Sequence, residues 1–189
     1  HPPELGDRLV ATHTVPSGEA AKSLEVCGRL WDELTLDRSG TIVALGGGTA
    51  TDVAGFAAAT YLRGLKAWVP VPTTIVGQVD AAIGGKTGID LAKGKNLVGA
   101  FNLPARVVAD PDVLSTLPPA QRLEGMAEVV KQLHARLIIP MHYFNSSTLD
   151  RFLRRMEAEF PIDRSPTPTI VVSRKTFPPE PRILVLPGD

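Results

Sequence analysis

Three consecutive glycines, Gly46-Gly47-Gly48, follow an apolar run over residues 41–45 and precede an Ala-rich run. Glycine lets a backbone approach a pyrophosphate closely, and a helix start presents free N–H groups to the anion. The G-x-G-x-x-G dinucleotide fingerprint is not completed, because Thr51 stands at the third glycine position. Asp52 comes next. A carboxylate in a first helical turn is also what the helix dipole favours, so local pattern leaves cofactor binding and simple capping both open.

A second chemical segment runs from Asp80 to Asn96 and holds Lys86, Lys93 and Lys95 among glycines. Lysines on a glycine-rich loop suit a phosphate or carboxylate ligand, although solvated surface lysines read the same way. Gly84-Gly85-Lys86-Thr87 resembles the end of a Walker A loop, but Asp80 occupies the position of its first glycine, and a carboxylate there repels a triphosphate. Glu124, Glu128 and Lys131 share a third segment, where Glu128 and Lys131 at i, i+3 read by spacing alone as a surface ion pair. The four histidines, His1, His13, His134 and His142, form no H-E-x-x-H pair, and Cys27 has no partner cysteine. No complete zinc site and no nucleophile elbow is visible.

The elements that must position these groups alternate. Ser17 caps an expected helix over 18–35 with Leu24, Cys27, Trp31 and Leu34 on one face. Residues 41–45 form a buried strand, and the Ala-rich helix after the glycines runs to about Leu62, where Gly64 stops it. A strand over 67–71, a short helix from about Thr74, a strand over 107–109 and a helix over 119–134 follow. The last shows Leu123, Met126, Val130 and Leu133 on one face. Strand, glycine turn, helix, strand is the grammar of a parallel α/β sheet. Beyond it, strands are expected over 137–139, 169–173 and 182–186, with an amphipathic helix over 147–159.

All but one of the 17 Gly lie before residue 135, whereas eight of 17 Pro fall in the last 50 residues. That shift predicts two parts, 1–134 and 135–189. The 20 basic and 20 acidic residues cancel, so neither nucleic acid nor an anionic membrane is expected as a partner. No apolar run approaches the ~18 residues that cross a bilayer, and the N-terminus has no signal-peptide pattern. The cytoplasm is the expected compartment. The first residue is not Met, so further residues are expected upstream.

Four runs, GGGTATDVAGFAAATYLRG, VPVPTTIVGQVDAAIGGKTGID, GKNLVGAFNLPARVVADPDVLSTLP and EGMAEVVK, resemble the 3-dehydroquinate synthase family in order and spacing over about residues 7–132. Iron-dependent alcohol and glycerol dehydrogenases share the GGG…D element. The VPTT, GGKTG and GKN-x-x-GAF stretches favour the synthase over these and over the aminocyclitol and valiolone cyclases. The resemblance implies a Rossmann-like parallel-sheet NAD-binding domain, truncated, with an α+β tail of different origin. It also implies a lyase of the shikimate pathway, which converts the seven-carbon keto-acid phosphate DAHP to 3-dehydroquinate and phosphate. NAD would oxidise a ring hydroxyl and be regenerated each turnover, with zinc or another divalent metal such as cobalt as Lewis acid.

By the same resemblance, Glu19 and Lys22 hold the ribose and adenine side of NAD. Gly46, Gly47 and Gly48 hold the pyrophosphate, Asp52 lies near the nicotinamide ribose, and Thr73, Thr74 and Thr116 also touch the cofactor. Asp80, Lys86 and Asn96 bind substrate, and Lys95 serves both cofactor and substrate. Arg63 reaches the phosphate site of a partner subunit, which implies a homodimer. Glu128 is implied as a metal ligand and Lys131 as a binder of the substrate carboxylate.

The family's chain is longer on both sides, and its two histidine metal ligands have no counterpart after Lys131. Residues 135–189 resemble instead the C-terminal end of a metallo-β-lactamase-fold hydrolase, on the run Leu137-Ile-Ile-Pro-Met-His-Tyr143, without that family's H-x-H-x-D-H cluster. A junction between parts of two unrelated genes is the expectation that follows. Four functions stand at this point: a synthase, an NAD-binding remnant without turnover, a metal-dependent alcohol or glycerol dehydrogenase, and a zinc hydrolase driven by the tail.

Overall fold

The apolar run after Gly40 becomes strand β1 (Thr41–Gly46), and the run after Lys66 becomes strand β2 (Ala67–Pro72). They pair in parallel from Thr41 opposite Ala67 to Gly46 opposite Pro72. A parallel pair needs a crossover, and helix α2 (Gly48–Thr60) supplies it. The computed structural model of the chain describes residues 8–141, 146–171, 173 and 177–187. It divides into two compact units, His1–Arg122 and Leu123–Asp189, upstream of the compositional change at residue 134.

In the first unit α2 buries Val53, Phe56, Ala57 and Ala58. Its core is completed by Ala21, by Val26, Cys27 and Leu30 of helix α1 (Leu24–Glu33), and by Ile89 of strand β3 (Lys86–Leu91). Strand β3 forms an antiparallel hairpin with strand β4 (Gly94–Phe101). Trp68, 2% exposed, donates from Nε1 to the Asn102 carbonyl at 3.0 Å, and Asn102 Nδ2 donates to the Gly55 carbonyl at 2.9 Å. These bonds fasten the end of the hairpin to α2 and β2. No helix among the described residues is long and apolar enough to cross a membrane.

Three local expectations are corrected. The helix expected over 18–35 is a 3₁₀ turn, Gly18–Ala21, followed by α1 from Leu24. Ser17 makes no side-chain cap bond, whereas Ser23 Oγ accepts the Val26 N–H at 3.2 Å. The second cap wins, Leu24 becomes an exposed first-turn residue, and Lys22 falls in the break between the two turns. The strand expected over 107–109 is not formed. Ala105 and Val108 donate to the carbonyls of Trp68 and Pro70, at 3.0 Å each, but Pro70 has no N–H to return and the ladder stops there. No strand forms over 169–171 either, and Val172 lies outside the described residues.

The second unit packs Leu123, Ala127 and Val130 of helix α3 (Pro119–Leu133) with Leu149, Phe152, Leu153 and Met156 of helix α4 (Ser146–Met156). Met126 and Leu133, expected on the buried face of α3, are 52% and 67% exposed. Strand β5 (Leu137–Ile138) and strand β6 (Ile162–Arg164), which the sequence pattern did not show, flank strand β7 (Arg182–Val185) in a parallel sheet.

Cys27 has no exposed surface, and burial pushes its thiol up to about 11. The thiolate is the reactive form, so a disulfide reagent at pH 8 is expected to leave the folded chain unmodified. Addition of denaturant should release one rapidly reacting thiol; rapid modification without denaturant would contradict the packing of α1.

Candidate functional site

The end of β1, the start of α2 and the turn after β2 meet at a surface built without side chains. Gly47 caps α2, and the first N–H groups of the helix have no intrahelical acceptor. A Cβ on Gly46 would stand 2.7 Å from the Ala50 Cβ, one on Gly47 2.9 Å from the Thr74 methyl, and one on Gly77 2.8 Å from Thr74 Oγ1. Thr73 donates its N–H to the Gly46 carbonyl at 2.9 Å, and Thr74 Oγ1 accepts the Gly77 N–H at 3.2 Å. The two threonines are thereby fixed against the glycine turn. Gln78 Nε2 donates to the carbonyls of Pro72 at 3.2 Å and Asp110 at 2.7 Å, tying this turn to the segment before Thr116. A helix start with open N–H groups, where only glycine fits, suits a pyrophosphate.

A second group of side chains comes from the break before α1, the first turns of α2 and the β3–β4 hairpin. Lys22, 5% exposed, donates its ammonium to Asp52 Oδ2 at 2.7 Å and to Asn96 Oδ1. Burial pushes the Asp52 carboxyl above its usual range, outweighing the pull of Lys22. Asp90 donates its N–H to the Lys22 carbonyl at 2.7 Å and accepts the Asn96 N–H on Oδ1 at 2.7 Å. That Asn96 N–H holds the Asp90 carboxyl below its usual range. Lys95 Nζ lies 3.4 Å from Glu19 Oε2, both exposed. Glu19, Lys22, Asp52, Lys95 and Asn96, singled out separately in the sequence, therefore form one connected polar cluster.

Asp80 lies in a wide turn of π-helix, Gly77–Ala81, and is exposed. Lys86, also exposed, opens β3 rather than a helix, and the buried Thr87 gives its hydroxyl to the Ala100 carbonyl at 2.8 Å. A P-loop requires a helix after its lysine, so the Walker A likeness ends here. Arg63 is exposed beyond α2, where Leu62, Arg63 and Gly64 have φ of 51°, 66° and 110°. Thr116 closes the 3₁₀ turn Pro111–Thr116 and donates its hydroxyl to the Val113 carbonyl at 2.7 Å.

Glu128 and Lys131 lie on α3 in the second unit. Glu128 is exposed and accepts a bond from Gln132 Nε2 at 3.0 Å. Lys131 Nζ is 2.5 Å from Glu159 Oε1, and Glu124 pairs with Arg155 at 2.7 Å. Among the described residues no three His, Cys, Asp or Glu side chains gather as a metal site. Glu128 is the single carboxylate on α3 that was expected to bind a metal, and a divalent cation needs further ligands beside it. His142 lies outside the described residues.

The sequence pattern missed Asp90, Gly77 and Gln78. The glycine of Val76-Gly77-Gln78 and the carboxylate six residues before Asn96 were the available signals, and they gain meaning only when the turn after β2 packs and the β3–β4 hairpin closes.

The family model described as the N-terminal region of 3-dehydroquinate synthase matches residues 12–124. A 3-dehydroquinate synthase of Symbiobacterium thermophilum is 57% identical over 121 residues, which are 62% of this chain and 34% of that one. Among solved structures, 2-deoxy-scyllo-inosose synthase, crystallised with carbaglucose-6-phosphate, NAD+ and Co2+, is 36% identical with a TM-score of 0.58. That match covers 68% of this chain and 35% of the other. The 2-epi-5-epi-valiolone synthase of Streptomyces hygroscopicus subsp. jinggangensis 5008, with NAD+ and Zn2+ bound, is 30% identical with a TM-score of 0.59, covering 76% of this chain and 38% of its own. The chain spans about a third of the length of the curated relatives it matches. The likeness of residues 135–189 to metallo-β-lactamase-fold hydrolases finds no support in these matches.

Proposed function

The chain belongs to the 3-dehydroquinate synthase family, and from that premise we propose that it supplies the NAD-binding part and a share of the substrate site for conversion of DAHP to 3-dehydroquinate and phosphate. The observation that carries this reading is the buried Lys22 ammonium shared between Asp52 and Asn96, beside the Asp90 bridge. Residues far apart in the chain converge there although none of them is needed for a hydrophobic core. Buried charge networks of this kind mark functional sites more often than chance.

In this reading Gly46, Gly47 and Gly48 hold the cofactor pyrophosphate, and Glu19 and Lys22 hold its ribose and adenine side. Asp52 lies near the nicotinamide ribose, Thr73, Thr74 and Thr116 also touch the cofactor, and Lys95 serves both cofactor and substrate. NAD, when bound, supplies a reversible oxidation of a ring hydroxyl within one turnover. Lys86, Asn96 and Asp80 orient the keto-acid phosphate, and the lysine neutralises its anionic groups. Arg63, exposed beyond α2, would face a second copy in a homodimer acting in the cytoplasm.

The test is phosphate release from DAHP by the purified chain with NAD and zinc added. Release well above that of Lys86→Ala supports a working synthase. Net NADH formation with a small alcohol would favour a dehydrogenase of the same fold group. The pairing of Glu128 with Gln132 and of Lys131 with Glu159 favours one second reading, an NAD-binding part without turnover. It predicts saturable NAD binding and no phosphate release, and in that case Lys86→Ala changes nothing measurable.

A further inference from the structure

We propose that Asp90 is the positioning residue that sets Asn96 against Lys22 and so holds Lys22 for the bound dinucleotide; this deepens the reading above and rests on it. The β3–β4 ladder pairs Ile89 with Val98 and Leu91 with Gly94, so residues 95–97 of β4 stand opposite the single residue Asp90 of β3. The extra residues bulge out of β4 and leave the regular ladder, and Asn96 is one of them. The Asp90 carboxylate, opposite this bulge, accepts the Asn96 N–H at 2.7 Å. Asn96 sits at φ 54°, a left-handed conformation that costs a non-glycine residue free energy unless its surroundings hold it. Asp90 supplies the hold, and the Asn96 carboxamide oxygen is thereby delivered to the Lys22 ammonium.

The backbone of the same residue acts on the other partner. Lys22 ends the 3₁₀ turn at φ −81° and ψ 49°, outside regular helix or strand, and its carbonyl is held by the Asp90 N–H at 2.7 Å. One residue thus fixes the backbone on both sides of the Lys22–Asn96 contact, one side through its own amide and the other through its carboxylate. The carboxylate half of this device can be removed by substitution while the amide half remains. An asparagine at 90 keeps an acceptor for the Asn96 N–H, and an alanine does not.

The experiment is calorimetric titration of the full chain with NAD, using Asp90→Asn and Asp90→Ala, with the Asn96 amide followed by hydrogen exchange without NAD. Asp90→Ala is expected to weaken NAD binding about tenfold and to lose protection of the Asn96 amide, whereas Asp90→Asn stays within about threefold and keeps it. If Asp90→Ala melts below the assay temperature, Asp90→Thr, a strand former without the carboxyl reach, takes its place. Unchanged affinity in the alanine or threonine variant overturns the proposal. So does an asparagine variant as weak as the alanine one, which would make charge rather than the hydrogen bond decisive. Failure of the unsubstituted chain to bind NAD removes the functional reading and this proposal together; binding by that chain alongside an unaffected Asp90→Ala removes this proposal alone.

Discussion

Replacing Lys22 by alanine is expected to weaken NAD binding by about a hundredfold, or about 2.7 kcal/mol. Lys22 is 5% exposed, and its ammonium is shared between Asp52 and Asn96. Removing one member of a buried charge pair leaves the other without compensation, which costs more than the pair itself contributes. Asp52 already has its carboxyl raised by burial, and without Lys22 it rises further. A carboxyl whose folded value exceeds its unfolded one opposes folding while ionised. That opposition is relieved as pH falls through the raised folded value. The Lys22→Ala chain should therefore gain stability relative to the unsubstituted chain as pH drops toward the upper carboxylate range. Titration calorimetry at neutral pH, with melting curves across that window, checks both effects. Tight NAD binding by Lys22→Ala would place the cofactor elsewhere.

The second large effect concerns two glycines in helices. A Cβ on Gly55 would overlap the Thr87 methyl and stand 3.0 Å from Trp68 Cη2. Neither neighbour is free to move. Thr87 is bonded to the Ala100 carbonyl, and Trp68 is 2% exposed and bonded to the Asn102 carbonyl. Helix propensity alone would reward Gly→Ala by about 1 kcal/mol. Overpacking of this kind costs about 1–3 kcal/mol and outweighs it, so Gly55→Ala is expected to lose about 1 kcal/mol of stability and Gly55→Val more. Gly28, inside α1, has nothing within 4 Å of its Cβ position. Gly28→Ala should gain about 0.5–1 kcal/mol by the propensity term. Urea unfolding followed by tryptophan fluorescence gives both values. Equal signs for the two substitutions would contradict the packing of α2 on β2 and β3.

The βαβ unit was legible because its signals are local. The apolar run before Gly46, the three glycines and the Ala-rich helix each depend on neighbours in sequence, and β1, α2 and β2 appear within a residue or two of expectation. The candidate site was legible mainly as a list of residues, through motifs that resemble one family. What joins them was not. Lys22 and Asn96 are 74 positions apart, and no periodicity connects them. Ser17 and Ser23 offer the same capping chemistry, and only the packed structure chooses Ser23. The strand expected over 107–109 failed because of a proline in its partner, a fact invisible from its own residues.

The resemblance of four motifs carried the family, while local pattern by itself determined the fold class and the glycine-lined helix start. These follow from backbone sterics and short-range hydrogen bonding, which act between adjacent residues. Only the tertiary structure decided that Lys22 is buried, that Asp90 bridges two segments, and that Lys131 pairs with Glu159. Burial, and the electrostatic consequences of burial, belong to contacts between distant parts of the chain and exist only once those parts are packed.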